Sequence, residues 1–180
     1  MKLTVADMAG ELGVLESFKL GVTGRLDANA ARALIGRLAV LPVRASHAVG
    51  LLGSYVHRGA EPVVIRLQMA QERALLGVTL LHELAHACEH LTAANPQRHR
   101  CSHGPHWREW AEAFAIAPVR TTRSDALGAL RAARLKPVAV CEKCGCVFHR
   151  LRRLPRRRQW LHPQCGNGRV VALPLKGVQR

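Results

Sequence analysis

The run His82-Glu83-Leu84-Ala85-His86 decides how this sequence is read. Histidines four residues apart sit one turn apart on one side of a helix, so their imidazoles can converge on one metal ion. The glutamate after the first histidine reaches the same side, where it can take a proton from metal-bound water. Leu80, Leu84, Ala87 and Leu91 fall on the opposite face and are expected to pack. A helix over residues 71–91 is therefore predicted, with metal on one side and core on the other. Asn95-Pro96 would end it.

A catalytic zinc usually takes three protein ligands and keeps a fourth position for water. His90 lies eight residues beyond His82, about 12 Å along the helix axis, too far to share an ion with it. It reads as a helix-end residue complementing the dipole. The metzincin pattern would need Gly at 89 and His at 92, where this chain has Glu89 and Thr92. Glu109, Glu112, His99, His103 and His106 remain for the third place. His103 is the best situated. It precedes a predicted helix, 105–115, that Gly104 and Pro105 can start and that Trp107, Trp110, Ala111 and Phe114 can anchor. His106 stays a competitor. Cys88 reads as a small buried residue and Cys101 as a loop cysteine.

Upstream, residues 3–41 read as mostly helical. Asp27 can cap a helix over 28–40 with Leu34, Ile35 and Leu38 at core spacing, and Pro42 ends it. Residues 43–69 change to short strands punctuated by Gly50, Gly53, Gly59 and Pro62. Over 63–69, Ile65, Leu67 and Met69 alternate with Arg66 and Gln68, the pattern of a half-buried strand.

The run Thr79-Leu80-Leu81-His82-Glu83-Leu84-Ala85-His86-Ala87, followed by His103-Gly104-Pro105-His106-Trp107, resembles the SprT-like metalloproteases, Spartan among them. That family pairs HExxH with a downstream HGxxW/F. The resemblance implies zinc on His82, His86 and His103 and catalysis by Glu83. It covers about residues 45–117. It also implies a zincin fold in which the strand before the helix serves as an edge that aligns substrate. No motif of the first forty residues matches it.

A second cluster lies near the C-terminus. Cys141 and Cys144 are followed, after seventeen residues, by His162 and Cys165. This is the ligand spacing of a zinc ribbon, with Gly145 and Gly166 after the second ligand of each knuckle. SprT-like proteins often end in a four-Cys ribbon, and this tail is similar with His162 in place of one Cys. His149 and Cys146 are the alternatives for that place. Between the halves, residues 150–158 hold Arg150, Arg152, Arg153, Arg156, Arg157 and Arg158, with Trp160 adjacent to stack on a base. The pattern suits a hairpin presenting phosphate-binding arginines, and it does not distinguish DNA from RNA.

The charge agrees with that division. The 180-residue chain carries a net +15. Residues 1–118 hold 12 Lys/Arg against 10 Asp/Glu, and residues 119–180 hold 15 against 2. Such asymmetry points to nucleic acid or another anionic partner. The composition, 48% hydrophobic and 22% charged, is that of a soluble globular protein. No apolar run approaches the ~18 residues of a membrane span. Asp7 and Glu11 stand where a secretory signal would be apolar. A cytoplasmic protein is expected, nucleoid-associated in a prokaryote, with its thiols reduced and holding metal.

The expected architecture is α+β: a zincin-like metalloprotease domain over 1–118, a basic helical linker over 119–136 and a zinc-ribbon module over 137–180. Ser124 and Asp125 would cap the linker helix. One zinc would be catalytic and one structural. The expected partners are a protein substrate and DNA, single-stranded or mixed, with proteolysis of DNA-bound proteins implied by the resemblance. Tyr55, Arg108 and His106 are candidates for an oxyanion donor. The rival is a nucleic-acid-binding protein whose HExxH zinc is structural, and intact Glu83 argues against it.

Overall fold

Thr4 opens the first helix with a capping box, its hydroxyl accepting from the Asp7 N–H while the Asp7 carboxylate accepts from the Thr4 N–H. The helices α1 (Val5–Leu12), α2 (Leu15–Thr23) and α3 (Ala28–Ala39) fill the stretch read as helical. Asp27 caps α3 by accepting from the Asn29 and Ala30 N–H groups, both at 3.0 Å. The computed structural model describes residues 3–98, 100, 103–119, 123–155 and 157–173. Its internal contacts divide it into two units, Met1–Gly128 and Ala129–Arg180.

In the first unit, β1 (Val43–Ala45), β2 (Gly53–Arg58) and β3 (Glu61–Leu67) form a sheet in the order β1-β3-β2. β1 runs parallel to β3, and β2 is antiparallel to it. The strand before the long helix is therefore the central one, paired on both sides, and has no edge to offer. That corrects the expectation of an edge strand there: the edges of this sheet are β1 and β2. Ile65 and Leu67 are buried as expected, but Met69 is exposed and Gln68 is buried. The alternation fails because β3 ends at Leu67 and Gln68 turns inward, its amide donating to the Ala48 carbonyl.

α4 (Arg73–Thr92) packs on this sheet and on α1 and α3, and α5 (Pro105–Ala113) packs on α4 and α2. The core they share includes Phe18, Leu38, Ile65, Leu80, Leu84, Trp107 and Phe114, each almost wholly buried. α4 is not the two-faced helix its pattern suggests. Leu81, Glu83, Ala85, His86, Cys88, Glu89 and His90 are buried along with the apolar stripe, because β2, β3 and α5 close in on its polar side. α6 (Asp125–Ala133) starts with Ser124 accepting from the Leu127 N–H, while Glu72 of the first unit accepts from the Ala126 N–H. Asp125 is the first residue of that helix rather than its cap.

The second unit is a four-stranded antiparallel sheet of β4 (Lys136–Cys141), β5 (Val147–Arg150), β6 (Trp160–His162) and β7 (Gly168–Ala172), in the order β5-β4-β7-β6. β5 and β6 are its opposite edges. The ends of the arginine-rich stretch, Arg150 in β5 and Trp160 in β6, therefore lie on different edge strands rather than on one hairpin. No described helix is long and apolar enough to cross a membrane.

Candidate metal centres

Two groups of metal-binding side chains come together among the described residues, one in each unit. In the first unit, α4 presents His82 and His86 and the residue two before α5 presents His103. One nitrogen from each lies within 4.8 Å of the others. His82 Nε2 and His103 Nε2 stand 3.0 Å apart. The Trp107 ring, buried in the first turn of α5, floors the group, its centroid 4.7 Å from that of His82, 5.4 Å from His86 and 4.5 Å from His103. Pro105 at the start of α5 fixes the turn that carries His103.

Burial, reinforced by His103, brings the pKa of His82 down to about 4. A neutral imidazole is the form that binds a metal. Three imidazoles converging on one point, with no fourth protein donor in the group among the described residues, form the set that a catalytic zinc uses. The competitors stand apart. His106 is exposed and faces Glu109, whose carboxylate pairs with Arg25, and Glu112 is exposed. His99 and Cys101 lie outside the described residues.

Glu83 follows His82 into a tight setting. It is buried, and burial raises its carboxyl to about 7 against the opposing effect of a hydrogen bond from the Tyr55 backbone N–H. Gly53, the first residue of β2, lies against it: a Cβ there would come within 2.8 Å of Glu83 Oε1 and 2.8 Å of Thr79 Cγ2. A buried chain of side chains holds that strand end in place. Thr79 Oγ1 donates to Gln71 Oε1 at 2.7 Å, and Gln71 Nε2 donates to the Leu52 carbonyl at 3.1 Å. In the sequence Gly53 reads as turn punctuation, and nothing there gives Gln71 or Thr79 a part in holding it. The spacing of 71 and 79, two turns apart, was the available signal, but its partner lies in a loop distant in sequence.

His90 is not a dipole-complementing helix end. It is fully buried, with Nδ1 2.7 Å from the Tyr55 hydroxyl and Nε2 2.9 Å from the Gly59 carbonyl and 3.1 Å from the Pro96 carbonyl. Burial lowers its pKa, which favours the neutral ring. The Tyr55 hydroxyl is thereby engaged away from Glu83, and Arg108 is exposed.

In the second unit, Cys141, Cys144, His162 and Cys165 offer four ligand atoms within 4.8 Å of one another. Cys141 Sγ is 3.4 Å from Cys165 Sγ, and Cys144 Sγ is 3.3 Å from His162 Nδ1. His162 Nε2 faces Gln164 Oε1 at 3.2 Å, which orients the ring. Gly145 and Gly166 turn the two knuckles at φ 71° and 76°, a conformation that favours glycine. Burial raises the Cys141 thiol, but the Cys144 and Lys143 N–H groups and the Cys165 thiol outweigh it and bring it to about 6. The Cys144 thiol raises the pKa of His162. Three thiols and an imidazole suit a closed, tetrahedral zinc site. Cys146 and His149 are exposed and outside the group.

Arg150, Arg152, Arg153, Arg157 and Arg158 are exposed, and Arg156 lies outside the described residues. The Arg150 guanidinium stands 5.3 Å over the Trp160 ring. A groove of about 560 Å³ beside it is lined by Arg157, Arg158, Trp160 and Arg169, among others. Arg169 was not singled out in the sequence, because it stands alone there and reaches the groove only through the pairing of β7 with β6.

A family model described as the SprT-like family matches residues 14–124. No curated protein and no solved structure gives a match.

Proposed function

Because the chain belongs to the SprT-like family across residues 14–124, we propose that its first unit is a zincin-type metalloprotease domain, hydrolysing peptide bonds in DNA-associated proteins. The observation that carries this reading is the convergence of His82, His86 and His103 beside a buried Glu83. A zinc ion held by the three imidazoles would supply Lewis-acid polarisation of a carbonyl and acidify a coordinated water. Glu83 takes a proton from the attacking water and returns it to the leaving amine. Burial raises the Glu83 carboxyl, the direction that favours its accepting a proton. The Tyr55 N–H and the missing side chain at Gly53 fix where that carboxylate stands. β2 is the edge strand on this side, and its outward backbone groups offer an extended peptide a place to add as a further strand.

The second unit supplies the nucleic-acid contact in this reading, its Cys141, Cys144, His162 and Cys165 holding a structural zinc. The exposed arginines and the Trp160 groove would bind DNA, single-stranded or mixed. The proposed setting is the cytoplasm, on the nucleoid in a prokaryote. The test is incubation of wild type and Glu83→Gln with a DNA-binding protein, with and without DNA. Wild type should cleave it, faster when DNA is present. The variant should keep its zinc and lose roughly 10²–10⁴-fold in rate. Cleavage at the wild-type rate by the variant would contradict the mechanism.

A further inference from the structure

Glu89 is a buried carboxylate for which the mechanism above has no use. It lies on α4 one turn beyond His86 and is 7% exposed. A carboxylate resists such burial unless partners hold it there. Two of its neighbours belong to the three-histidine centre or to the turn beside it. Its Oε2 is 3.9 Å from His86 Nδ1. Its carboxylate also accepts from the backbone N–H of Trp107, in the first turn of α5. That turn carries the indole that floors the three imidazoles and follows directly on His103.

We propose that Glu89 is the positioning residue of the three-histidine centre, orienting His86 through Nδ1 while fastening the start of α5, and with it His103 and Trp107, to α4. The inference rests on the reading of that centre as a metal site. Its chemistry is that of a carboxylate behind a metal-binding imidazole. With the proton on Nδ1 and directed at Glu89, His86 has Nε2 left to offer as a ligand, and the nearby negative charge makes the ring a better donor. A separation of 3.9 Å is an ion-pair distance, and about 1 Å of side-chain movement brings it into hydrogen-bond range. No proton leaves either group in this arrangement. Glu89 touches neither the reacting water nor the peptide, so it acts through His86 and α5.

The full chain provides its own control, because the Cys/His group of the second unit binds metal without Glu89. Zinc affinity of both sites is measured by chelator competition in wild type, Glu89→Gln and Glu89→Leu. Cobalt substitution separates the sites, since thiolate ligation gives intense charge-transfer bands that an all-imidazole site lacks. The Gln side chain keeps an acceptor without the charge, and the Leu side chain keeps the volume without either. The three-histidine site should weaken roughly 10-fold with Gln and towards 100-fold with Leu, with altered cobalt d–d bands, while the second site is unchanged. Should the Leu variant fail to fold, the Gln variant decides alone. Wild-type affinity and wild-type cobalt bands in Glu89→Gln would overturn the proposal. Equal weakening by Gln and Leu, tracking a loss of apo-protein stability, would overturn it too, since that is what a purely structural cap predicts. Absence of zinc from the three-histidine site in wild type would refute the metal reading itself, a result distinct from either.

Discussion

The two units hold their candidate metal groups in opposite ways. In the first, twenty-five buried residues form one core around α4, and His82, His86 and His103 are delivered to one point by helices that this core already fixes. In the second, Ala139 and Cys141 are the buried hydrophobic residues among those described, and Cys141 is itself a candidate ligand. A sheet with so little apolar burial has no core to offset the entropy of ordering its chain. In the proposed reading, one unit builds a metal site from its fold, and the other builds its fold on a metal site.

The largest effect expected from that contrast follows from breaking the Cys/His group. Structural zinc contributes on the order of 10 kcal/mol in small zinc modules, more than a sheet of this size can replace. Cys144→Ser should therefore collapse the amide dispersion of the second unit, with that of the first unchanged in a heteronuclear NMR spectrum. The matching change in the first unit, His103→Ala, should empty its metal site and leave melting of that unit nearly where it was. Next in size is Gly53→Ala. The new methyl must displace Glu83 or Thr79, and a misplacement of about 1 Å can cost on the order of 10²-fold in turnover. Zinc content should stay at the wild-type level, which separates this variant from a ligand mutant.

The sequence was legible where chemistry and local spacing coincide. The His82–His86 pair, the Cys141–Cys144 knuckle, the Asp27 cap and the start of α5 at Pro105 each depend on residues within a turn or two of one another. What stayed hidden depends on contacts between distant segments. The buried polar side of α4 depends on β2 and α5 covering it, so His90 reads from the sequence as a helix-end residue and Glu89 is given no role there. The order β1-β3-β2 puts the strand nearest in sequence to α4 at the centre and the two more distant ones at the edges. The placing of β5 and β6 on opposite edges likewise follows from strand order, which no local pattern encodes.

His90 sharpens the comparison at a smaller scale, since it belongs to the packed unit and holds no metal. His90→Phe keeps a ring but strands the Tyr55 hydroxyl and two carbonyls, with an expected loss of about 2–3 kcal/mol in urea unfolding. The pH dependence has a definite sign. A His whose folded pKa is depressed contributes stability above its unfolded pKa of about 6.5, and that contribution is lost as pH falls below it. Glu83 and Glu89, raised by burial, act in the opposite sense. The difference between wild type and His90→Phe should therefore shrink on acidification below about pH 6.5. The smallest effect is Asp27→Ala, which removes the cap of α3 and should cost about 1 kcal/mol, seen in the first unit alone.

The most direct test of the contrast is stepwise removal of metal from the intact, zinc-loaded chain by a chelator, followed residue by residue in amide NMR spectra. The account predicts that amides of β4, β5, β6 and β7 move to unfolded positions as zinc is withdrawn. Those of α1 to α5 should keep their dispersion, with shifts confined to the neighbourhood of His82, His86 and His103. A second unit that keeps its dispersion without metal, or a first unit that unfolds with it, would contradict the account.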